Sequence, residues 1–361
     1  YVLLGTGAFG VAQKPPAGAQ ALQPETTPIL VPTATPTASP SPTRVIQENT
    51  PAPSATPSPL PATATNTPLP SPSPAPVAAQ PRGVPPASLS GTIAYPVYNG
   101  TSYDLYFAQA DGSGSRLFRA NASQPAFSPD GLRIAFHSWS RDSRGLVASD
   151  LNGGGALVAN FVEDQLPTWT PDGSQILLLS RRTGSRKSEL YLVDSRADRG
   201  PASYVGEGEY PTIGAGGQVV FKGWGNTGDG LRLASFPLAD IESVTDSNQD
   251  TAPALSPDGS QIAFMSRRDD DWELYIVNAD GSNLQRLTNS PGRDGLPVWS
   301  PDGRVIAFVS ERGGQWAMWA TTPAGSEPQQ LFEMQGSPDG FVGNDNYASR
   351  GWAEERLSWT P

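Results

Sequence analysis

The chain has 361 residues with 24 Lys plus Arg against 35 Asp plus Glu, a net charge of −11, no cysteine and one histidine. This acidic balance excludes the electrostatic footprint of a nucleic-acid binder. The missing cysteine removes disulfides, thiolate nucleophiles and Cys-ligated metals, and a lone His137 removes most His-based metal sites.

Residues 1–90 hold 21 of the 38 prolines and only five charged side chains, Lys14, Glu25, Arg44, Glu48 and Arg82, while all nine tryptophans lie beyond them. Such a segment cannot bury a core, whereas the remaining 271 residues can. The first element, residues 1–14, opens with an uncharged apolar run, Tyr1 to Ala12, that is shorter than the ~20 residues of helix a bilayer requires. It reads as the end of a truncated membrane anchor or signal; a strand lent to a partner and a sticky terminus are the alternatives. Residues 15–87 form a Pro/Thr/Ser-rich stalk, as in the run from Thr33 to Thr43 and that from Pro68 to Pro76. Proline fixes φ and removes amide donors, which biases the stalk to polyproline II, with a reach on the order of 200 Å if fully extended. Hydroxyls beside proline suit O-glycosylation; an undecorated linker is the alternative.

Residues 88–361 repeat. Pro125-Ala-Phe-Ser-Pro-Asp-Gly-Leu-Arg-Ile-Ala-Phe136 returns at 167–178, 253–264 and 297–308, with a degenerate copy at 211–221. The fifth residues of the copies, Pro129, Pro171, Ala215, Pro257 and Pro301, stand 42, 44, 42 and 44 residues apart, the period of a four-stranded propeller blade. Within a unit, a short strand reaches Ser-Pro-Asp-Gly, which turns the chain into a second strand, Ile-Ala-Phe. Glu273 to Val277 is a third strand, matched by Glu189 to Val193 and Asp104 to Ala108, and Gln285 to Thr288 is a fourth. Arg356 to Pro361 has the pattern of a first strand, and Ser90 to Tyr95 that of a second strand lacking its first. Joining them predicts an all-β fold: a six-bladed propeller of four-stranded blades closed by a C-terminal strand, with no inner edge left open.

These stretches resemble the TolB-like propeller repeat, whose hallmark is Pro-x-Trp-Ser-Pro-Asp-Gly-x-x-Ile-Ala-Phe followed by Leu-Tyr and Asp-Gly-Ser. The resemblance covers residues 88–361 and is specific for fold rather than function. The family includes a periplasmic protein that binds a lipoprotein and other envelope partners, and many surface proteins; the extracytoplasmic expectation rests on the stalk, the missing cysteine and the apolar run at the N-terminus. The chain departs from that protein in having a stalk where a small α/β domain would stand, so the partnership itself is not carried over.

Three residues before the opening proline stand Asp164, Asp250 and Asp294, and Glu354 holds the matching place before the closing strand, with Ala122 and Gly208 in the other two units. Such a ring at one mouth of the channel is a candidate site for calcium or for a basic partner group. The plainer reading is that each aspartate caps its own loop. The loops after the second strands, on the same face, carry Arg141, Arg181, Arg182, Arg267, Arg268 and Arg312, a candidate partner-binding surface or a set of solvated side chains paired with one another. His137 follows Ile-Ala-Phe at an ordinary repeat position and is read as structural rather than catalytic. The insertion 335–353 breaks the period, and its Phe341, Tyr347 and Trp352 are expected to pack over the seam between the first and last blades.

The resulting expectation is a non-enzymatic, extracytoplasmic propeller that binds a protein or glycan at the envelope, tethered through its N-terminal segment, with no required cofactor. The alternatives are a subunit of a filament or surface assembly that contacts copies of itself through that segment, and a propeller hydrolase with a channel cation.

Overall fold

The computed structural model describes residues 88–184, 187–340, 342 and 351–361. The segments 1–14 and 15–87 lie outside the described residues, as do Phe341 and Tyr347. Six antiparallel sheets of four strands each make up the fold. Blades 2 to 6 begin with the innermost strands Ala122–Phe127, Gln165–Trp169, Glu209–Ile213, Asp250–Leu255 and Asp294–Trp299. Blade 5 shows the plan: Asp250–Leu255, Gln261–Ser266, Glu273–Asn278 and Gln285–Arg286 follow one another from the centre outwards.

Blade 1 is closed by the end of the chain. Ser358–Thr360 is its innermost strand and pairs antiparallel with Thr92–Tyr98, Ile93 lying opposite Trp359. Gly91, at φ +96°, permits this approach, because a Cβ there would stand 2.2 Å from the Thr360 carbonyl oxygen.

Each Ser-Pro-Asp-Gly turn is held by its own side chains. The hydroxyls of Ser128, Thr170, Ser256 and Ser300 donate to Asp130, Asp172, Asp258 and Asp302 at 2.6–2.7 Å. The same hydroxyls accept the backbone N–H of Arg133, Gln175, Gln261 and Val305, at the start of the second strand. Positive φ at Gly131, Gly173, Gly259 and Gly303 completes the reversal. Threonine replaces serine at 170 without loss because only the hydroxyl is used.

The innermost strands carry a regularity that was not apparent in the sequence. In blades 2 to 6 the register slips at the motif's first proline, and the residue before it, Gln124, Leu166, Tyr210, Ala252 or Leu296, has φ between +48° and +57°. In blade 5, Ala252 and Pro253 together face Phe264. This is a β-bulge, and it places each proline where the ladder needs no amide donor. The left-handed residue costs roughly 1–2 kcal/mol per blade.

Packing between blades offsets that cost. Ile134, Ile176, Ile262 and Ile306 of the second strands are fully buried, as are Phe264 and Phe308. Each such side chain contributes about 1.5–3 kcal/mol. The motif tryptophans tie blades together: Trp169 donates its indole N–H to the Ala126 carbonyl at 2.8 Å and Trp299 to that of Ala254 at 2.9 Å, in each case in the preceding blade. Trp359 instead bonds within blade 1, donating to the Ser90 carbonyl at 3.0 Å and so holding the closing strand to the start of the propeller.

Candidate functional site

The predicted acids and arginines come together, but pairwise within blades. Arg182 donates to Asp164 at 2.5 Å, Arg268 to Asp250 at 2.5 Å and Arg312 to Asp294 at 2.6 Å. All three carboxylates are fully buried, while the arginine side chains keep 14–24% of their surface. Each arginine also lies over the aromatic of its blade's third strand: Arg182 over Tyr191 at 4.5 Å, Arg268 over Tyr275 at 5.0 Å, Arg312 over Trp319 at 4.9 Å. The conserved geometry follows from the hairpin. Asp250 and Asp294 open their first strands opposite Ser266 and Ser310, Asp164 stands just before its own, and the arginine follows two residues after the serine that ends the second strand.

These contacts give the aspartates a structural task. Asp164 also accepts the Phe161 backbone N–H at 3.1 Å, as loop capping requires. Asp250 takes the Thr245 hydroxyl at 2.6 Å and Asp294 that of Ser290 at 3.2 Å. Burial holds the Asp164 carboxyl above the usual carboxylate range, against the pull of Arg182. Among the described residues, no three acidic or histidine side chains gather as a metal site.

The remaining blades show what replaces the pair. Blade 2 has Ala122 in the acid's place and Ser140 in the arginine's. In blade 4 the acid's place is Gly208 and the acid stands one residue later, at Glu209 opposite Lys222; it accepts the Ser188 hydroxyl at 2.6 Å and lies 3.3 Å from Arg181 of blade 3. In the closing segment the fully buried acid is Glu355, not Glu354 as expected from the spacing. Glu355 accepts the Ser123 hydroxyl at 3.1 Å and the Gln124 N–H at 3.2 Å. Glu354 ends a 3-10 turn, Trp352–Glu354, and its carbonyl accepts the Gln124 amide. The turn breaks the strict repeat, so counting back from the strand lands one residue early.

Of the six arginines expected to bind a partner, Arg182, Arg268 and Arg312 are thus held by aspartates and Arg181 by Glu209. Arg141 and Arg267 are exposed, Arg267 lying over Trp272 at 5.1 Å. Trp272 is part of a larger cluster: Trp352 packs on Trp272 and Trp316 at 5.9 and 5.2 Å, and Arg293 lies over Trp316 and Trp352 at 5.0 and 5.6 Å. Arg293 is also tied to Glu311 at 2.7 Å and Asp339 at 2.8 Å. Trp352 of the insertion therefore packs on blades 5 and 6, while Gly340 and Ser337 bond to Tyr103 and Tyr98 of blade 1. Trp352, expected at the seam between the first and last blades, thus packs on blades 5 and 6 instead, and Phe341 and Tyr347 lie outside the described residues.

His137 is fully buried, and its Nδ1 donates to the Asp164 carbonyl at 2.7 Å. The centre of the ring encloses a cavity of about 440 Å3 lined by the bulged strands and by the motif prolines and tryptophans.

A TolB beta propeller domain family matches residues 235–340. Two Tol-Pal system TolB proteins of Anaeromyxobacter dehalogenans, from strains 2CP-1 and 2CP-C, are 28% and 30% identical over 221 residues, which is 58% of this chain and 41% of each relative. The chain thus spans about two fifths of the length of the curated relatives it matches. Among solved structures, TolB from Acinetobacter baumannii superposes with a TM-score of 0.60 at 19% identity, covering 74% of this chain and 66% of that one. The tricorn protease superposes at 0.52 and 18% identity, covering 70% of this chain and 27% of that one. At these identities the superpositions speak for the fold. The repeat, the matched domain and the superpositions agree that the chain carries a TolB-like six-bladed propeller.

Proposed function

We propose that the chain is a non-enzymatic, extracytoplasmic propeller that docks a protein partner at the cell envelope. The observation that carries this reading is the exposed Arg267 lying over the half-buried Trp272, beside the half-buried Arg293 and Trp316, all seated on the buried Trp352 of the insertion. Tryptophan and arginine dominate interface hot spots because each offers a large rigid contact area together with directional donors. The resemblance to Tol-Pal system TolB proteins and the cysteine-free composition support the envelope setting. A non-catalytic role is supported by His137, which is enclosed in the blade with its ring held on a backbone carbonyl.

Photo-crosslinking from position 267 of the full chain in its native host tests the proposal. A discrete adduct with another envelope protein, lost on Trp272→Ala, is the expected result. Adducts only between copies of this chain would overturn it in favour of an assembly subunit. Turnover of ester or peptide substrates by the purified chain would overturn the non-enzymatic part.

A further inference from the structure

Two of the six outermost strands combine an exposed aliphatic side chain with charges of a single sign. In blade 4, Ala239–Ser243 is exposed at every residue, and Ile241, which keeps 43% of its surface, stands between Asp240 and Glu242. In blade 1, Arg116–Arg119 exposes Leu117 to 48% and has an arginine at either end. The outermost strands of blades 2, 3 and 6, Gly155–Ala159, Ser203–Glu207 and Gln329–Glu333, bury one or two residues each, and that of blade 5, Gln285–Arg286, is only two residues long. Among the described residues none of the four charges meets an opposite one. Arg116 lies over the Phe107 ring at 5.2 Å and Arg119 donates to the Gly153 carbonyl at 2.5 Å, while Asp240 and Glu242 project into solvent.

The blades follow one another round the ring, so blades 1 and 4 stand on opposite sides of it and their outer edges cannot meet within one chain. At a net charge of −11, copies of the chain repel one another over most of their surface. The blade 1 edge, with two arginines and no acid in its strand, is a place where the acidic edge of another copy is attracted instead. Both strands carry a bulge, where the register slips opposite Leu105 and Tyr106 in blade 1 and opposite Leu233 and Ser235 in blade 4. A bulged edge resists indiscriminate main-chain pairing, so recognition falls to the side chains and is selective for charge. Leu117 against Ile241 supplies the apolar centre of the contact, and the arginines against Asp240 and Glu242 supply its polar rim.

We infer that copies of this chain associate head to tail, the outer edge of blade 1 of one copy lying against the outer edge of blade 4 of the next. The two edges differ and point in opposite directions, so the contact is heterologous and extends into an open row instead of closing on itself as a two-fold dimer. Two strand edges bury less than the ~1,600 Å2 of a standard interface, so the contact is weak and builds up with concentration. It does not use the loops that carry Arg267 and Trp272, and is independent of the docking surface proposed above.

Sedimentation velocity of the full chain and of two edge variants tests the inference. Arg116→Gln with Leu117→Ser removes the blade 1 edge, and Ile241→Ser with Glu242→Gln removes the blade 4 edge; all four positions are exposed, so neither variant disturbs the core. The unaltered chain is expected to form dimers and longer species as its concentration rises, and each variant alone to associate at least tenfold more weakly. An equimolar mixture of the two variants is expected to form one-to-one pairs and nothing larger, because each retains one working edge. A mixture that stays monomeric would overturn the head-to-tail contact. So would association that persists unchanged in either variant, which would place it elsewhere on the chain, or an unaltered chain that is monomeric up to ~1 mM, a concentration at which even a millimolar contact is substantially formed.

Discussion

Two sets of aspartates recur with the blade, and they live in opposite surroundings. The turn aspartates, Asp130, Asp172, Asp258 and Asp302, sit near the surface, where hydroxyl and backbone donors stabilise the charge; the Thr170 hydroxyl and the Ser174 backbone and side chain hold Asp172 down to about 2. The inner aspartates, Asp164, Asp250 and Asp294, are fully buried and depend on an arginine 18 residues later. The conspicuous motif thus does local work, shaping one turn, while the less conspicuous residue fixes the loop that meets the central channel. A residue type repeated in phase carries no single meaning; its partners decide.

The closing strand sets the frame for both sets, and removing it has the largest expected effect. Deleting residues 356–361 exposes the ladder of Thr92–Tyr98 and the hydrophobic seam at Trp359. The expected outcome is loss of a single cooperative thermal transition and concentration-dependent association in light scattering, because an open inner edge pairs with other chains.

Next in size are the inner pairs. Asp294→Ala leaves Arg312 without its carboxylate and is expected to destabilise by about 2–4 kcal/mol, below the full range for a buried pair because Arg312 keeps some contact with solvent. The double variant Asp294→Ala with Arg312→Met is expected to recover at least half of that loss in urea unfolding. An additive result would show that the two residues act separately. Blade 2 offers the converse. Ala122→Asp alone places an unpaired carboxylate at a fully buried site and is expected to destabilise, while adding Ser140→Arg is expected to rescue it.

How much of this was legible in the sequence follows from the same contrast. The blade count, the four strands and the closure are carried by Ser-Pro-Asp-Gly and Ile-Ala-Phe, whose interactions are local and so visible as a motif. The inner aspartates and arginines were also found, with their mutual pairing as one of two readings, but not which arginine meets which aspartate. The signal lay in the constant offset from Asp164 to Arg182, Asp250 to Arg268 and Asp294 to Arg312, and in the joint loss of both partners at Ala122 and Ser140. Glu355 and Arg356 escaped because the insertion ends in a 3-10 turn that shifts the count, and because what Arg356 touches, the carbonyls of Pro167 and Pro211, is contributed by backbone 189 and 145 residues away. In the tryptophan cluster, Trp272 and Trp316 stand one blade period apart, just before their third strands, whereas Trp352 lies in the insertion and follows no period.

The smallest effect is the one that separates Asp172 from Asp164 by sign. Asp172 is lower in the folded chain than its ordinary value, so its contribution to stability is complete above about pH 4 and is lost as the pH falls toward about 2. Asp164 is raised by burial, so its contribution runs the other way: the folded chain holds that proton more tightly, and acidification through the raised value favours folding. Urea midpoints measured from pH 6 to pH 2 distinguish them. Asp172→Asn is expected to flatten the acid-side fall, and Asp164→Asn to steepen it. Equal slopes in the two variants would mean that the hydroxyl-bonded turn and the arginine-bonded interior impose the same electrostatics on an aspartate, which their partners argue against.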